Sequence, residues 1–324
     1  MEPHIIPHKI KKFLLFDISN PNFCKWHARA YLAFFIFLLC SGAFLISYDS
    51  IGFSVLGIIL VATASVQAFI LLHECGHGSF SKNIIFNTIL GWVCGLICII
   101  PFESWRTIHH GHHIWSGWKD LDPTTSQVKG DSPGGFQTLI LEFCWKIGLP
   151  LPSFFYRFGI FWSVQKALKQ AKKRTSRIKI LANFLLSVIL YLALVNTLPN
   201  LFLFKFFISY VISLVFLEGV MLSQHTHIPQ LYSEGKKVKP HSLVAQVKFT
   251  RSIAVPRWVE IWILYGFNKH EEHHLHPTSS GSSLIQNDNK FPRTSNWKIW
   301  YFTVRTYRAS QILYNHEAKT GWKL

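Results

Sequence analysis

Histidines in this chain are grouped at spacings that suit metal binding. The segment NKHEEHHLHP, residues 268–277, holds four of the 17 histidines of a 324-residue chain. Its central part, HEEHH at 270–274, and the segment HHGHH at 109–113 both contain the pattern H-x-x-H-H. In a helix, residues at i, i+3 and i+4 share one face, so each pattern presents three imidazoles together. Chance would produce the pattern about 0.05 times in a chain of this histidine content, and two occurrences therefore indicate a built site.

Two further groups complete a set of four histidine clusters. HECGH at 73–77 places two histidines one helical turn apart, and SQHTH at 223–227 supplies another pair. About eight or nine imidazole nitrogens from these clusters are enough for two metal ions, and imidazole suits iron, zinc, copper and nickel. A pair of irons would be able to activate oxygen and attack an unactivated C–H bond. The histidines outside the clusters match no pattern and are predicted to lie on the surface: His4, His8, His27, His241 and His316.

One cluster supports a rival hypothesis. HECGH also fits H-E-x-x-H, in which two histidines bind zinc and the glutamate, here Glu74, acts as general base. An intramembrane zinc metalloprotease is therefore an alternative. Such a hydrolase needs only one further protein ligand and an open position for water, which leaves both H-x-x-H-H clusters without a task. A histidine-rich surface or a metal carrier is a second alternative, but it does not explain why each cluster adjoins a hydrophobic segment.

The composition indicates a membrane protein. Hydrophobic residues make up 49% of the chain and charged residues only 15%, against about a quarter in soluble domains. Lys and Arg outnumber Asp and Glu by 33 to 16. In so apolar a chain this excess favours anionic lipid headgroups or an acidic redox partner over nucleic acid. The six cysteines form no CxxC pair and are predicted to be reduced.

Four apolar segments are long enough to cross a bilayer, at about 20 residues per crossing. They are residues 30–48, 51–72, 180–198 and 201–222, and they form two hairpins whose far ends run into histidine clusters. Lys and Arg precede the first and third segments and are absent from both hairpin turns. The positive-inside rule therefore predicts that both termini and all four clusters face the cytoplasm, at the inner membrane if the protein is bacterial.

A fifth apolar segment, residues 84–100, cannot cross once if the clusters on either side of it share a site, and it is too short to cross twice. It is predicted to be re-entrant or interfacial, with an ordinary fifth span as the alternative. The aromatic stretch 136–162 is predicted to be interfacial, and an amphipathic helix is predicted over 296–318. The predicted organisation is a cytoplasmic N-terminal segment without a removable signal peptide (1–29), a membrane domain with cytoplasmic histidine clusters (30–285) and a cytoplasmic C-terminal amphipathic helix (286–324).

The segments HECGH, WRTIHHGHH and NKHEEHHLHP, with SQHTH between the second and the third, resemble the histidine boxes of the membrane fatty acid desaturase family in order and approximate spacing. PRWVEIW at 256–262, followed by Asn268, is most similar to the acyl-lipid, delta-12-like branch. The resemblance covers residues 50–285. It implies an all-α integral membrane protein with four transmembrane helices in two hairpins and a cytoplasmic helical cap that holds a di-iron site.

The same resemblance implies the ligands and the reaction. Asn268 matches an asparagine that lies beside the metal and acts through water, and His227 is the alternative to His225 as a ligand. The implied reaction is oxygen-dependent desaturation of a fatty acyl chain, linked to a lipid, coenzyme A or a carrier, with electrons from a ferredoxin-like or cytochrome-type donor. The chain would lie in a narrow, bent tunnel among the four spans. Hydroxylation of an acyl chain and ketolation or hydroxylation of a carotenoid remain alternative outcomes. The implied iron ligands are His73, His77, His109, His112, His113, His225, His270, His273 and His274.

Overall fold

The structure is a computed structural model that describes residues 22–126, 134–287 and 291–322. Most of the predicted N-terminal segment, with His4 and His8, lies outside the described residues. A 3-10 helix covers Val247–Phe249, and the two-residue strands β1 (Ile253–Ala254) and β2 (Ser295–Asn296) pair in parallel. The α-helices of the described residues are α1 (Phe23–Ile46), α2 (Ile51–His77), α3 (Ile84–Ile97), α4 (Phe102–Trp115), α5 (Gly135–Ile147), α6 (Leu151–Phe161), α7 (Val164–Gln170), α8 (Arg174–Thr197), α9 (Asn200–His225), α10 (Leu243–Gln246), α11 (Arg257–Trp262), α12 (His270–Leu275), α13 (Gly281–Gln286), α14 (Trp297–Thr306), α15 (Ala309–Tyr314) and α16 (Glu317–Thr320).

Four helices, α1, α2, α8 and α9, are long and apolar enough to cross a membrane. They correspond to the four segments predicted from hydropathy, and that prediction is confirmed. Helices α1 and α2 lie against each other, and α9 packs against α2. The first contact is close because Gly57 has no side chain: a Cβ there would lie 2.7 Å from Ile46 Cγ2. A larger residue at Gly57 would therefore force the two helices apart.

A buried lysine joins α9 to the turn between α1 and α2. Lys205 Nζ donates to the carbonyl oxygens of Ile46 at 3.0 Å and Tyr48 at 2.6 Å. The last carbonyls of a helix have no partner within the helix, so the ammonium group satisfies the end of α1 while the carbonyls replace its water. The single lysine inside this apolar segment therefore fixes where α9 begins relative to α1.

The apolar segment after HECGH folds back on itself. Helices α3 and α4 meet at an angle of 102° across a short break, so the segment returns toward α2. A Cβ at Gly95 would lie 2.6 Å from the Ile100 carbonyl oxygen, which shows how tight the return is. The carbonyls freed at the turn are satisfied: Trp162 Nε1 donates to Ile99 O at 2.9 Å and the Tyr191 hydroxyl donates to Leu96 O at 2.8 Å. As a result α4 carries its histidines back beside those of α2.

The C-terminal segment differs from the predicted single helix over 296–318. The chain instead forms three short helices, α14, α15 and α16. Glu142 of α5 accepts hydrogen bonds from the first backbone N–H groups of α15, Ala309 N at 2.7 Å and Ser310 N at 3.0 Å. A carboxylate at that place stabilises a helix start and not a helix interior. The prediction was wrong here because a contact from α5, 167 residues away in sequence, decides where the helix is interrupted.

One histidine predicted to lie on the surface is buried. His27 of α1 is 0% exposed, with Nδ1 2.9 Å from Ser282 Oγ and Nε2 3.1 Å from the Ile261 carbonyl oxygen. Its ring also stacks on Tyr265, with 4.9 Å between the ring centroids. The prediction failed because a lone histidine carries no spacing signal. In the structure, His27 joins α1 to the segments on both sides of the last histidine box.

Candidate metal centre

The nine histidines predicted as ligands come together in two adjoining groups. Within each group the candidate ligand atoms all lie within 4.8 Å of one another. The five-histidine cluster consists of His73, His77, His109, His113 and His273. The four-histidine cluster consists of His112, His225, His270 and His274.

Both H-x-x-H-H boxes are divided between the two clusters. Helix α4 gives His109 and His113, at i and i+4, to the five-histidine cluster and His112 to the four-histidine cluster. Helix α12 does the reverse, with His270 and His274 in the four-histidine cluster. In each box the histidines at i and i+4 lie above one another on the helix, and the histidine at i+3 lies beside them. Two facing helices with this spacing can therefore surround two adjacent clusters. The repeated pattern in the sequence therefore supplies histidines to both of two adjoining clusters.

The Nε2 atoms are the ones that converge. In the five-histidine cluster, His77 Nε2 lies 2.9 Å from His109 Nε2, and His113 Nε2 lies 3.1 Å from His273 Nε2. In the four-histidine cluster, His270 Nε2 and His225 Nε2 are 2.7 Å apart. Several imidazole nitrogens at such short separations share one centre, which is the arrangement that a cation with nitrogen ligands requires.

Outer hydrogen bonds orient three rings of the four-histidine cluster. His112 Nδ1 lies 2.6 Å from Asp122 Oδ2, His225 Nδ1 lies 3.2 Å from the Phe249 carbonyl oxygen, and His274 Nδ1 lies 2.9 Å from Gln246 Oε1. An acceptor at Nδ1 holds the ring proton at Nδ1. The lone pair of Nε2 is then free to bind a metal, as is usual for metal-binding histidines. The Gln246 amide also donates to the His113 carbonyl oxygen at 2.8 Å, so one side chain joins α4 to α12.

The charge of Asp122 is maintained by its own contacts. Burial alone would raise the pKa of this carboxyl, but the His112 ring and the hydrogen bonds from Thr124 lower it below its usual value. Thr124 donates to Asp122 Oδ1 from its backbone N at 2.8 Å and from its hydroxyl at 2.7 Å. Asp122 is therefore an anion at neutral pH. Its negative charge lies directly beside the four-histidine cluster, because Asp122 contacts His112.

The protonation states and the free nitrogens fit a metal. Burial, followed by the neighbouring imidazoles, holds the pKa of His270, His273 and His274 well below the usual value, so these rings are neutral. Both nitrogens of His73 and Nε2 of His274 are buried without a hydrogen-bond partner among the described residues. A buried, unpaired nitrogen is expensive unless it binds something, and a neutral imidazole nitrogen is a metal donor. The donor sets of both clusters therefore fit divalent iron or zinc.

The extra histidines of the boxes lie outside both clusters. His110 and His276 are exposed. His227 is turned toward the C-terminal segment, where its Nε2 lies 2.8 Å from the Thr320 hydroxyl and its ring stacks on Trp322. Of the two candidates in SQHTH, the structure therefore groups His225 with the other ligands, while His227 holds α16.

A cavity of about 490 Å³ opens against both clusters. Histidines of each cluster form part of its wall, and the remainder is mainly apolar. Spans α2 and α9 line it, together with α4, α5, α6 and α15, whereas no described residue of α1 or α8 does. This cavity is therefore walled by two of the four spans together with the α5–α6 pair and the C-terminal helices. A tunnel among all four spans stays a prediction.

Asn268 and Glu74, which the sequence singled out, have defined partners. Asn268 is buried, and its Nδ2 donates to Ile253 O at 3.0 Å, while Oδ1 has no hydrogen-bond partner among the described residues. A role for Asn268 beside the metal stays a prediction. Glu74 Oε2 accepts from Gly281 N at 3.1 Å and from the Ser79 hydroxyl at 2.9 Å, and Glu74 is not part of the cavity wall. Its contacts are those of a structural carboxylate and give no support to a general base.

Sequence reasoning missed two residues that support the clusters. Trp105 stacks on His109 with 4.4 Å between ring centroids and an interplanar angle of 19°. It lies one turn before His109 in α4, a spacing that was available as a signal. Gln246 carried no such signal, since a glutamine 28 residues before His274 belongs to no motif.

Comparison with known proteins decides the family. The family model of fatty acid desaturases matches residues 50–284, which include all nine clustered histidines. The chain belongs to the fatty acid desaturase family. The resemblance inferred from the boxes is thus confirmed, and this desaturase-family protein carries every box within the matched region.

This desaturase-family protein is similar to several named desaturases, two of which are named for a lipid-linked oleoyl chain. The sn-1 oleoyl-lipid 12-desaturase of Picosynechococcus sp. is 26% identical over 223 residues, which cover 67% of this chain and 62% of that protein. The sn-1 oleoyl-lipid 12-desaturase of Synechocystis sp. is 27% identical over 259 residues, covering 74% and 71%. The chloroplastic omega-6 fatty acid desaturase of Spinacia oleracea is 24% identical over 272 residues, covering 79% and 58%. These similarities confirm the likeness to the acyl-lipid, delta-12-type branch.

Proposed function

We propose that this protein desaturates a fatty acyl chain, with oxygen as co-substrate, at a centre of two irons held by the nine clustered histidines. One observation carries the proposal: nine mainly buried histidines from four separate boxes adjoin in two clusters at the wall of a mainly apolar cavity. A catalytic zinc site needs about three protein ligands, so a single zinc leaves most of these histidines unused. A nearly all-imidazole donor set also suits a site at the edge of hydrocarbon, where carboxylates are costly.

Two irons bound by the clusters would supply the oxygen-dependent chemistry that removes hydrogen from an unactivated C–H bond. In the overall reaction a –CH2–CH2– unit becomes –CH=CH–, and oxygen, two electrons and two protons become two waters. The protein's own part is to hold the chain still and dry. Phe69, Phe267 and Leu217 line the cavity near the histidines and exclude water, while Asp122 and Gln246 fix the orientation of the rings.

The substrate that we propose is an acyl chain of a membrane lipid. The cavity of about 490 Å³ falls within the range of small-molecule sites, roughly 300–1,000 Å³. Two of the relatives are named for an oleoyl chain at the sn-1 position of a lipid. We extend that substrate class, and not the position of the double bond, to this chain. Thioester-linked chains are the alternative that the experiment below distinguishes.

The membrane arrangement that we propose has four spans in two hairpins and all histidines on the cytoplasmic side. Leucine, isoleucine and phenylalanine side chains are exposed along α1 and α8, as expected for surfaces that face lipid. In this topology the cytoplasmic segments are residues 1–29 and 286–324, and the membrane domain is residues 30–285. The α3–α4 pair is re-entrant, and the helical cap lies in the cytoplasm. The 33 Lys and Arg residues against 16 Asp and Glu residues favour an acidic ferredoxin-like or cytochrome-type donor on that side.

Expression in a bacterium that lacks polyunsaturated lipids tests the function. Intact lipids would be analysed by mass spectrometry, beside cells that express His270→Ala as a matched inactive control. We expect loss of two hydrogens from acyl chains of phospholipids in cells with the wild-type protein only. An added oxygen atom would favour a hydroxylase or ketolase, and new unsaturation confined to thioesters would favour the carrier-linked substrate. Lipids identical in both strains, together with one zinc per chain, would overturn the proposal.

A further inference from the structure

The cavity wall contains a cation that the proposed chemistry does not use. Arg157 of α6 is 7% exposed and lines the same cavity as His73 and His112. Its guanidinium carbon lies 5.2 Å from the centre of the Phe69 ring. Phe69 is one helical turn before His73 in α2 and also lines the cavity. Arg157 therefore lies against the part of α2 that comes one turn before the five-histidine cluster.

Within the described residues, no carboxylate pairs with Arg157, and its Nη1 is buried without a hydrogen-bond partner. The hydroxyl of Tyr210 is near, but it is a single uncharged acceptor for a group that has five donors. Phe69 contributes only its ring face. A buried guanidinium with neutral surroundings is unfavourable, because it has lost water and gained no anion.

Two other buried basic residues, Arg305 and Lys205, show how this protein satisfies a buried cation. Arg305, in the same region, donates to Glu218 Oε1 at 3.0 Å and to the Trp145 carbonyl oxygen at 2.5 Å. Lys205 is buried against two carbonyl oxygens. Glu218 is committed to Arg305 and to the Ser153 hydroxyl, which donates to its Oε2 at 2.6 Å. Arg305 and Lys205 have such oxygen partners, whereas Arg157 Nη1 has none among the described residues, and Arg157 lines a cavity that can receive a ligand.

We propose that Arg157 binds the oxygen-bearing end of the acyl substrate, either a carboxylate or an ester carbonyl, and so determines which carbon pair lies against the histidine clusters. The inference rests on the proposed function, because it requires an acyl chain in the cavity. A guanidinium offers two parallel donors to a carboxylate and a strong single donor to an ester carbonyl. With one end of the chain fixed at Arg157, the position of oxidation is counted from the carbonyl end. Leu141, Leu222 and Leu313, which also line the cavity, are apolar contacts available to the rest of the chain.

The first test measures binding without iron, so it does not depend on turnover. Purified metal-free protein in detergent would be titrated with carbon-14 oleate and with methyl oleate. We expect Arg157→Leu to weaken binding of oleate roughly 10- to 100-fold, the usual value of a hydrogen-bonded charge pair. Lys172→Leu removes one positive charge from an exposed place on α7–α8 and should leave the affinity unchanged. A larger loss for oleate than for the ester identifies a carboxylate as the ligand, and an equal loss identifies the carbonyl. Unchanged affinity for both ligands would overturn the proposal.

The second test reads the position of the new double bond. In the wild-type protein, mass spectrometry of derivatised products should show one position, whereas Arg157→Leu should give a mixture and Arg157→Lys should restore most of the single position. Arg157→Gln serves if the leucine variant does not fold, as judged by gel filtration. A residue that only holds α6 in place would change the rate and leave the position unchanged, which would contradict the proposal. If the wild-type protein makes no alkene at all, the proposed function fails, whereas the binding result for Arg157 remains valid by itself.

Discussion

The two histidine clusters are held in different ways. Three rings of the four-histidine cluster have an acceptor at Nδ1, from Asp122, Gln246 and the Phe249 carbonyl. In the five-histidine cluster, Nδ1 of His113 and both nitrogens of His73 have no hydrogen-bond partner among the described residues. Its rings are held instead by packing, chiefly by Trp105 on His109 and by Phe267, whose ring centre lies 4.8 Å from that of His73.

The difference has a chemical consequence for the metals. A carboxylate behind an imidazole raises its basicity and fixes its tautomer, whereas an aromatic ring fixes only its orientation. The four-histidine cluster has one ligand fewer but includes the negative charge of Asp122. The five-histidine cluster compensates with one more neutral donor. We therefore expect the two clusters to hold their metals by different means, and mutations should separate them.

The largest expected effect comes from removing one ligand from each cluster. In His112→Ala or His273→Ala the purified protein should lose activity and fall from about two irons per chain toward one, because no other nitrogen occupies the same place. His110→Ala and His276→Ala, at exposed histidines of the same boxes, should keep both irons. Metal analysis by mass spectrometry measures this. One zinc per chain, unaffected by either change, would contradict the two-cluster arrangement.

The clustering of the nine histidines could be predicted from the sequence, whereas most of the contacts that support them could not. All nine histidines belong to local patterns, and local spacing survives folding. The division of each box between two centres depends on how α4 faces α12, which no single segment specifies. Gln246 and the Phe249 carbonyl reach the site only through the fold of residues 243–249. In the same way, the four spans followed from hydropathy, but the interruption of the C-terminal helix at Tyr307 and Arg308 depended on the distant Glu142.

The next largest effect should come from the carboxylate behind His112. Asp122→Asn keeps the shape and removes the charge, and it should weaken metal binding at the four-histidine cluster by roughly 10- to 100-fold. Glu74→Gln is the matched change at the five-histidine cluster. Its nearest ligand contact, Glu74 Oε1 to His73 Nδ1, is 3.8 Å, too long for a hydrogen bond, so a much smaller effect is expected.

Competition with a coloured chelator measures both affinities on the same preparation. Equal weakening in Asp122→Asn and Glu74→Gln would mean that charge near either cluster acts in the same way, contrary to the comparison above. The Glu74→Gln variant has a second use. A zinc hydrolase that relied on this glutamate would lose all activity with its metal retained, whereas the desaturase function predicts that acyl-chain oxidation continues.

A smaller effect is expected from Gln246, which serves both clusters. Gln246→Leu removes the hydrogen bonds to His274 Nδ1 and to the His113 carbonyl. One lost hydrogen bond contributes about 1 kcal/mol, or roughly 5-fold in affinity. Gln246→Glu retains the acceptor for His274 and should restore most of the affinity at the four-histidine cluster, but not the donor to His113. If the glutamate and leucine variants bind metal equally weakly, the link between α4 and α12, and not the support of His274, is the important contact.

The smallest effect should come from His227, the histidine that resembles a ligand by position but lies outside both clusters. His227 Nε2 and the Thr320 hydroxyl are 2.8 Å apart, and Glu317 N donates to the His227 carbonyl at 3.0 Å. His227→Ala removes the first contact and leaves the second, so the protein should lose about 1 kcal/mol of stability while it keeps both irons. Thr320→Val removes the same hydrogen bond from the other side and should match it in thermal unfolding of the purified protein. Because His225 is only two residues away, loss of iron in His227→Ala alone would show that the two histidines exchange as ligands. Loss of stability without loss of iron, in both variants, assigns His227 to the C-terminal segment.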